Sequence, residues 1–329
     1  MADAAAPPTP SAPSAPSELS APPALFGGLE AGGTKFVCLI GSGPNDIRAT
    51  ARINVTGPAE TIEAALAFFR RAVAAGTRLE AVGIGSFGPV ELRRRNRRYG
   101  WITTTPKPGW SGTDIRGPML AELGVPVGFD TDVNAAALAE GRWGAARGLR
   151  SFIYLTVGTG IGGGAVVEGR LLHGLGHPEM GHIAVPRRPG DHFDGICPFH
   201  GDCFEGMTSG PALAARYGRR AERLTGNVQL EAVELAGFYL AAGVRSLTYA
   251  LAPQRVIVGG GVSTMPGLIR AARSELRAGM KGYPGLPEHG RDGFLVGAAL
   301  GSMAGPAGTL ALAETAAATR RDSLRRARL

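Results

Sequence analysis

Between Pro58 and Ala75 the apolar side chains Ile62, Leu66, Phe69 and Val73 recur every three or four residues. That spacing is one face of an amphipathic helix, and Pro58 sits at a first-turn position where its missing N–H costs nothing. Elsewhere the apolar positions are short and contiguous. Phe36 to Ile40, Ala81 to Ile84, Val125 to Phe129, Phe152 to Val157 and Arg255 to Val258 have the length and β-forming composition of buried strands. Helices are predicted from Val133 to about Ala146, from about Leu230 to Leu251, near Leu268 to Ala278 and near Phe294 to Met303. Strand and helix alternate, which predicts a mixed α/β fold.

The two halves open alike. Gly27 to Gly41 reads as a glycine turn running into an apolar strand, and Phe152 to Val157 runs into Gly158-Thr159-Gly160-Ile161-Gly162-Gly163-Gly164 and out through Ala165-Val166-Val167. A third junction follows the strand at Arg255 to Val258, which ends in Gly259-Gly260-Gly261. The repeated strand, turn, strand opening predicts a duplicated α/β lobe in place of a tandem solenoid. A chain of 329 residues is long enough for two lobes with a cleft between them. The expected divisions are a disordered leader over 1–25, an N-terminal lobe over 26–140, a C-terminal lobe over 141–305 whose last helix packs back on the first lobe, and a disordered Arg-rich tail over 306–329.

Charge changes this picture little. The net charge is +8, but Arg93, Arg94, Arg95, Arg97 and Arg98 contribute +5 and the tail from Arg320 contributes +4, so the body of the chain is near neutral. Such short runs are expected to be solvated, and no aromatic residue is interleaved through the tail to stack bases, so nucleic acid is not an expected partner. The first 25 residues are Ala, Pro and Ser with almost no large apolar side chain, which excludes a secretory core or a membrane span there. Three cysteines, Cys38, Cys197 and Cys203, are too few for a disulfide framework, and a reducing, cytoplasmic location is expected.

Two glycine patterns fail as nucleotide motifs of familiar kinds. Gly28-Leu29-Glu30-Ala31-Gly32-Gly33-Thr34-Lys35 exchanges the Lys and Thr of a P-loop and is followed by a strand. Gly83, Gly85 and Gly88 spell G-x-G-x-x-G, but Pro89 follows and no helix opens there. A simpler reading remains: glycine at a strand-to-strand turn lets backbone N–H groups and the hydroxyls of Thr34 or Thr159 approach phosphate oxygens.

Four ordered motifs carry a family resemblance: Glu30-Ala31-Gly32-Gly33-Thr34-Lys35, Asp130-Thr131-Asp132-Val133-Asn134-Ala135-Ala136, the Val157 to Gly164 loop continuing through His177-Pro178-Glu179-Met180-Gly181-His182, and Cys197-Pro198-Phe199-His200-Gly201-Asp202-Cys203. Over roughly Phe26 to Ala304 the chain resembles the ROK family of sugar kinases, in particular its bacterial fructokinase branch. The resemblance implies two actin-like (ribonuclease H-like) lobes around a central cleft, transfer of phosphate from ATP with Mg²⁺ to a hexose, fructose above glucose or mannose, and a homodimer. It implies sugar contacts from Gly88, Thr104, Thr131, Glu179, His182 and Glu205, and nucleotide contacts from Gly32, Gly33, Thr34, Lys35, Thr159, Gly160, Gly210, Gly259 and Gly260. Glu30 stands where many members carry Asp, and Thr131 where many carry Asn. Regulators in the family add an amino-terminal helix-turn-helix domain, for which the Ala/Pro/Ser leader lacks the periodicity.

Asp132 lies at the junction of a strand and a helix, where an aspartate serves either as a helix N-cap or as a carboxylate aimed into a cleft. The resemblance makes it the catalytic base that accepts the attacking hydroxyl's proton. His182, Cys197, His200 and Cys203 offer two imidazoles and two thiolates, the ligand set of a closed structural Zn²⁺ site, with loose side chains or a Cys197 to Cys203 disulfide as the alternative. Cys38, inside a strand, reads as a core residue.

Overall fold

The computed structural model describes residues 24–327, so 1–23 of the expected leader and the last two residues lie outside the described residues. The first half contains β1 (Leu25–Ala31), β2 (Lys35–Gly43), β3 (Asp46–Asn54), α1 (Pro58–Ala74), β4 (Leu79–Ser86), α2 (Arg116–Leu123) and β5 (Val127–Thr131). α3 (Asp132–Trp143) leads to β6 (Phe152–Val157), β7 (Ile161–Val167), β8 (Arg170–Leu171), α4 (Phe204–Thr208), α5 (Gly210–Tyr217) and α6 (Gly226–Leu251). Then come β9 (Arg255–Gly259), α7 (Leu268–Met280), β10 (Leu295–Gly297) and α8 (Ala304–Arg326).

Each half builds a five-stranded sheet, ordered β3-β2-β1-β4-β5 and β8-β7-β6-β9-β10. In both, the first three strands form an antiparallel meander and the next two join parallel to the first. The duplication legible in the glycine turns is therefore a duplication of whole sheets. Register places the strand ends: Ala31 pairs with Ser86 and Ser86 with Thr131, so the β1–β2 turn, the loop after β4 and the start of α3 leave one edge of the first sheet. Carboxyl ends of parallel strands are where open α/β sheets hold ligands.

Each lobe has its own core. Leu29, Phe36, Phe69, Ile84, Trp110 and Met119 are buried in the first, and Leu155, Tyr239, Val244, Val256 and Leu276 in the second. Each fully buried large side chain contributes ~2 kcal/mol against the unfolded chain.

α8 joins the lobes. It lies across β1, β2, β4 and β5 and packs along α3, which rests on β6 and β7. The seat for α8 is a row of glycines in register on three adjacent strands, Gly28, Gly83 and Gly128. A Cβ on Gly83 would lie 1.9 Å from the carbonyl oxygen of Thr309, and one on Gly128 2.6 Å from that of Leu312. Backbone thus rests almost directly on backbone. A second brace is Glu140 of α3, fully buried, whose carboxylate accepts N–H bonds from Ala145 (2.6 Å), Ala299 (3.2 Å) and Leu300 (2.9 Å).

Four sequence expectations are corrected. The tail is helix α8 as far as Arg326, packed on the first lobe, where a disordered segment was expected from residue 306. The helix expected near Phe294 to Met303 is the edge strand β10 and a short 3-10 turn, because Leu295–Gly297 pairs with β9. The lobe boundary at residue 140 falls inside α3. The expected leader overruns its end, since Leu25 already opens β1. The polar strand β3, unforeseen from its composition, is an edge strand with alternating exposure.

Gly83→Ala should destabilise the protein by ~2 kcal/mol or more, because only backbone can move to make room. Gly33→Ala, where nothing lies within 4 Å of the new methyl group, should leave stability nearly unchanged. Urea unfolding of both variants measures the contrast.

Candidate active site

The edge to which the strand ends point opens onto a cavity of about 730 Å³ between the lobes. It is lined from the first half by Gly33, Gly88, Thr104, Thr131 and Asp132, and from the second by Thr159, Gly160, Glu179, His182 and Glu205. Gly32, Thr34 and Lys35 share the exposed β1–β2 turn with Gly33, and Gly32 N–H donates to the Lys35 carbonyl at 3.1 Å. The Gly210 N–H donates to the Gly158 carbonyl at 2.7 Å, tying the start of α5 to the second glycine turn. Gly259 ends β9 beneath the Tyr154 hydroxyl. Gly260 has φ +86° and lines a smaller cavity of about 180 Å³ with Glu30, Asp132 and Tyr154. Asp132 borders both cavities.

The N-cap of α3 is Thr131, whose hydroxyl accepts the Asn134 N–H at 3.1 Å. Asp132 is therefore released from capping. As the first helical residue it accepts the adjacent Val133 N–H, at 2.8 Å. Thr131 still borders the cavity, but its hydroxyl is engaged by the helix. Asp132 is half-buried, and desolvation raises its carboxyl to about 6, with the charge of Glu179 adding to the rise. Glu30 is pushed up to about 7 by burial first and by Asp132 second, while Lys35 opposes the shift. Gly305 makes room for it, since a Cβ there would stand 1.9 Å from Glu30 Oε1. Behind Asp132, the buried Asp130 accepts from Asn134 Nδ2 (2.6 Å) and lies 2.9 Å from His173 Nε2, a contact that raises the His173 pKa. A rigid strand end thus presents one carboxylate poised near neutrality, a suitable acceptor for a proton.

Other cleft residues hold the lobes and loops in place. His177, buried, accepts the Val90 N–H through Nε2 at 3.2 Å, so its Nδ1, 3.5 Å from Glu179 Oε1, carries the proton. It links the loop after β4 to the segment that carries Glu179. Glu205 accepts the Ile161 N–H at 2.7 Å and so braces the second glycine turn. Lys107 reaches the Gly33 carbonyl while its ammonium lies 5.6 Å from the Phe87 ring and 5.8 Å from that of Trp110. Sequence reasoning assigned no role to His177 or Lys107. The proximity of His177 to Glu179 within one motif was the only signal available.

The four expected metal ligands converge. His182 Nδ1 lies 3.6 Å from both Cys197 Sγ and Cys203 Sγ, His200 Nδ1 lies 3.7 Å from Cys197 Sγ, and all four ligand atoms fall within 4.8 Å of one another. Tetrahedral bond lengths of zinc to nitrogen and sulfur give N–S edges of about 3.5 Å, so the set has the size of a metal cage. Both cysteines are free thiols, which excludes the disulfide alternative. Burial, then the neighbouring Cys197, pushes the Cys203 thiol up to about 11. Cys38 is a core residue of β2, its thiol raised to about 12 by burial. The segment before the cluster is anchored by Asp191, which Arg216 grips with two bonds of 2.8 Å. Burial opposes ionisation of Asp191, but Arg216 and Tyr239 hold its carboxyl well below the usual carboxylate range.

Among the described residues no helix is long and apolar enough to cross a membrane. The chain is 45% identical over 294 residues to a Bacillus subtilis protein that carries fructokinase as a provisional name, spanning 89% of this chain and 96% of the relative. It is 39% identical over 291 residues to the fructokinase of Zymomonas mobilis subsp. mobilis, spanning 88% and 96%. A solved ROK family glucokinase from Streptomyces griseus, in complex with glucose and AMPPNP, matches with a TM-score of 0.69 at 28% identity, covering 88% of this chain and 99% of the other. The expected fold class, two actin-like α/β lobes around a cleft, is borne out by that likeness and by the paired sheets. A model of the family spans residues 26–316, nearly all of what the two lobes comprise, and the chain belongs to the ROK family.

Proposed function

We propose that the protein is an ATP-dependent fructokinase, transferring the γ-phosphate of ATP to the 6-hydroxyl of D-fructose. The observation that carries this reading is the position of Asp132, freed from capping and raised toward neutrality between the glycine turns of two lobes. The names of the two relatives support fructose, and the neighbour's complex with AMPPNP, an ATP analogue, supports the nucleotide.

In this reading the sugar occupies the larger cavity, with Thr104, Glu179, His182 and Glu205 around its hydroxyls and Gly88 leaving room for it. The backbone at Gly32, Gly33, Thr34 and Lys35, at Thr159 and Gly160, and at Gly210, Gly259 and Gly260 receives the nucleotide. Asp132 accepts the proton of the attacking hydroxyl as its oxygen bonds to the γ-phosphorus and ADP departs, so the catalyst supplies a base and alignment. Glu30 and Asp132 line one small cavity, and the charge of Asp132 adds to the rise in the Glu30 pKa, which is the setting that suits a divalent cation. Mg²⁺ bound there with the nucleotide would supply charge neutralisation at the phosphates.

His182, Cys197, His200 and Cys203 fit Zn²⁺ in number, donor type and spacing. A zinc ion in that cage would supply a rigid cross-link between the segment carrying Glu179 and the start of α4 carrying Glu205. His182 faces the thiols through Nδ1, which leaves Nε2 for the sugar.

Coupled measurement of ADP release should give the highest kcat/KM with fructose among fructose, glucose, mannose and N-acetylmannosamine. The reading fails if no sugar stimulates ATP turnover. Asp132→Asn should lower kcat by ~10²- to 10⁴-fold while retaining fructose binding by calorimetry. The base must be ionised, so kcat/KM should fall as pH drops through about 6, the value to which burial raises Asp132. Because that raised pKa favours the protonated form in the folded state, ionising Asp132 costs stability as pH rises through about 6, and the amide variant should unfold no lower than the parent at pH 8. Elemental analysis should find about one zinc per chain, and chelation should weaken fructose affinity or lower the unfolding midpoint. Zinc-free protein with full affinity and stability would remove the zinc assignment.

A further inference from the structure

Neither arginine cluster of the sequence belongs to the cleft, yet the fold brings them together. Arg94, from the loop after β4, and Arg320, near the end of α8, line an open cavity of about 460 Å³ with Arg116 of α2. Its other walls are small or apolar, among them Leu120, Pro126 and Val127, and no acidic residue lines it. Neighbouring arginines are neutralised: Arg93 pairs with Glu91, Arg70 with Glu122 and Arg321 with Glu80. No carboxylate among the described residues pairs with Arg94, Arg116 or Arg320.

Two of the three guanidinium groups are held in place. Arg94 lies 5.7 Å and Arg116 4.9 Å from the centroid of one ring, Tyr99, and Arg116 Nε also donates to the Val127 carbonyl at 3.1 Å. Three like charges converging in a concave site repel one another, and an anion between them reverses the sign of that interaction. The planar fork of arginine matches phosphate oxygens, and the volume lies within the range of small-molecule sites.

We propose that Arg94, Arg116 and Arg320 form a binding site for a phosphate dianion, either inorganic phosphate or the phosphate of a small metabolite, separate from the cleft. It sits at the beginning of β5, whereas Asp132 follows the end of that strand about 17 Å away at the usual rise per residue. The same strand is gripped at Val127 by Arg116 and at Phe129 by the Tyr99 hydroxyl, at 3.2 Å, so an occupant fixes the side chains that hold it. This inference does not depend on the kinase reading.

The test is calorimetric titration of the full chain with inorganic phosphate and, separately, with fructose 6-phosphate, each against chloride at matched ionic strength. The double variant Arg94→Gln, Arg320→Gln is the comparison, since both side chains are exposed and neither borders the cleft. Affinity about 10-fold or more weaker in the variant supports the site, given the strength of charge-assisted hydrogen bonds. With that loss, comparable binding of both probes assigns the free anion, and binding of the sugar phosphate alone assigns an organic phosphate. Equal affinity in parent and variant would locate binding elsewhere, and absence of binding by both probes would leave the arginines without a ligand. Either result overturns the proposal.

Discussion

Everything in this molecule depends on how closely α8 can approach the first sheet. Gly28, Gly83 and Gly128 stand side by side on β1, β4 and β5, and α8 occupies the space their side chains would fill, with the Thr309 hydroxyl at Gly28 and helix backbone at Gly83 and Gly128. The contact is reciprocal. Gly308 of α8 faces the Ala135 carbonyl of α3 and Gly305 faces the Glu30 carboxylate, each with a hypothetical Cβ only 1.9 Å away. Close packing therefore fixes α8 against α3, and through α3 it sets one lobe against the other. A side chain at Gly83, Gly128 or Gly308 would meet backbone and force α8 away from its seat.

The electrostatics of the cleft follow from that packing. With α8 seated, Glu30 and Asp132 face one small cavity, where the charge of Asp132 disfavours that of Glu30 and the charge of Glu179 disfavours that of Asp132. Desolvation is the larger cause at both groups, which is why carboxyls of ordinary type are moved toward neutrality. Thr131 supplies the helix cap, so the aspartate beside it is left with unsatisfied accepting capacity pointed at the cavity. Capping and catalysis, which competed for one residue on local grounds, are divided between two neighbours.

Loops that carry no regular structure are held by a few polar anchors. His177 spans from the Val90 backbone to Glu179, Glu205 holds the glycine turn at Ile161, and the paired thiols and imidazoles fold the 197–203 loop onto itself. Arg216 and Tyr239 clamp Asp191 at the base of the same segment. The bonds to Glu205 and Asp191 are charge-assisted, which strengthens them enough to order loops that have no hydrophobic core of their own.

The sequence by itself determined the repeating features: strands as short apolar runs, helices by their spacing, the duplicated glycine turns, the strand-to-helix junction at Asp132 and the Cys-x-x-His-x-x-Cys ligand set. These are properties of neighbours along the chain, and periodicity or spacing expresses them directly. Helix α8 was obscured because its arginines read as a disordered tail, and because its first turns contain Gly305, Pro306 and Gly308, residues of low helix propensity. Those glycines are tolerated for what they touch across the lobe junction. Only the tertiary structure decided that Asp132 raises the pKa of Glu30, that His177 bridges the lobes and that Arg94 and Arg320 share one cavity. Burial, Coulomb interaction and close contact act through space between residues distant in the chain, and no local pattern encodes them.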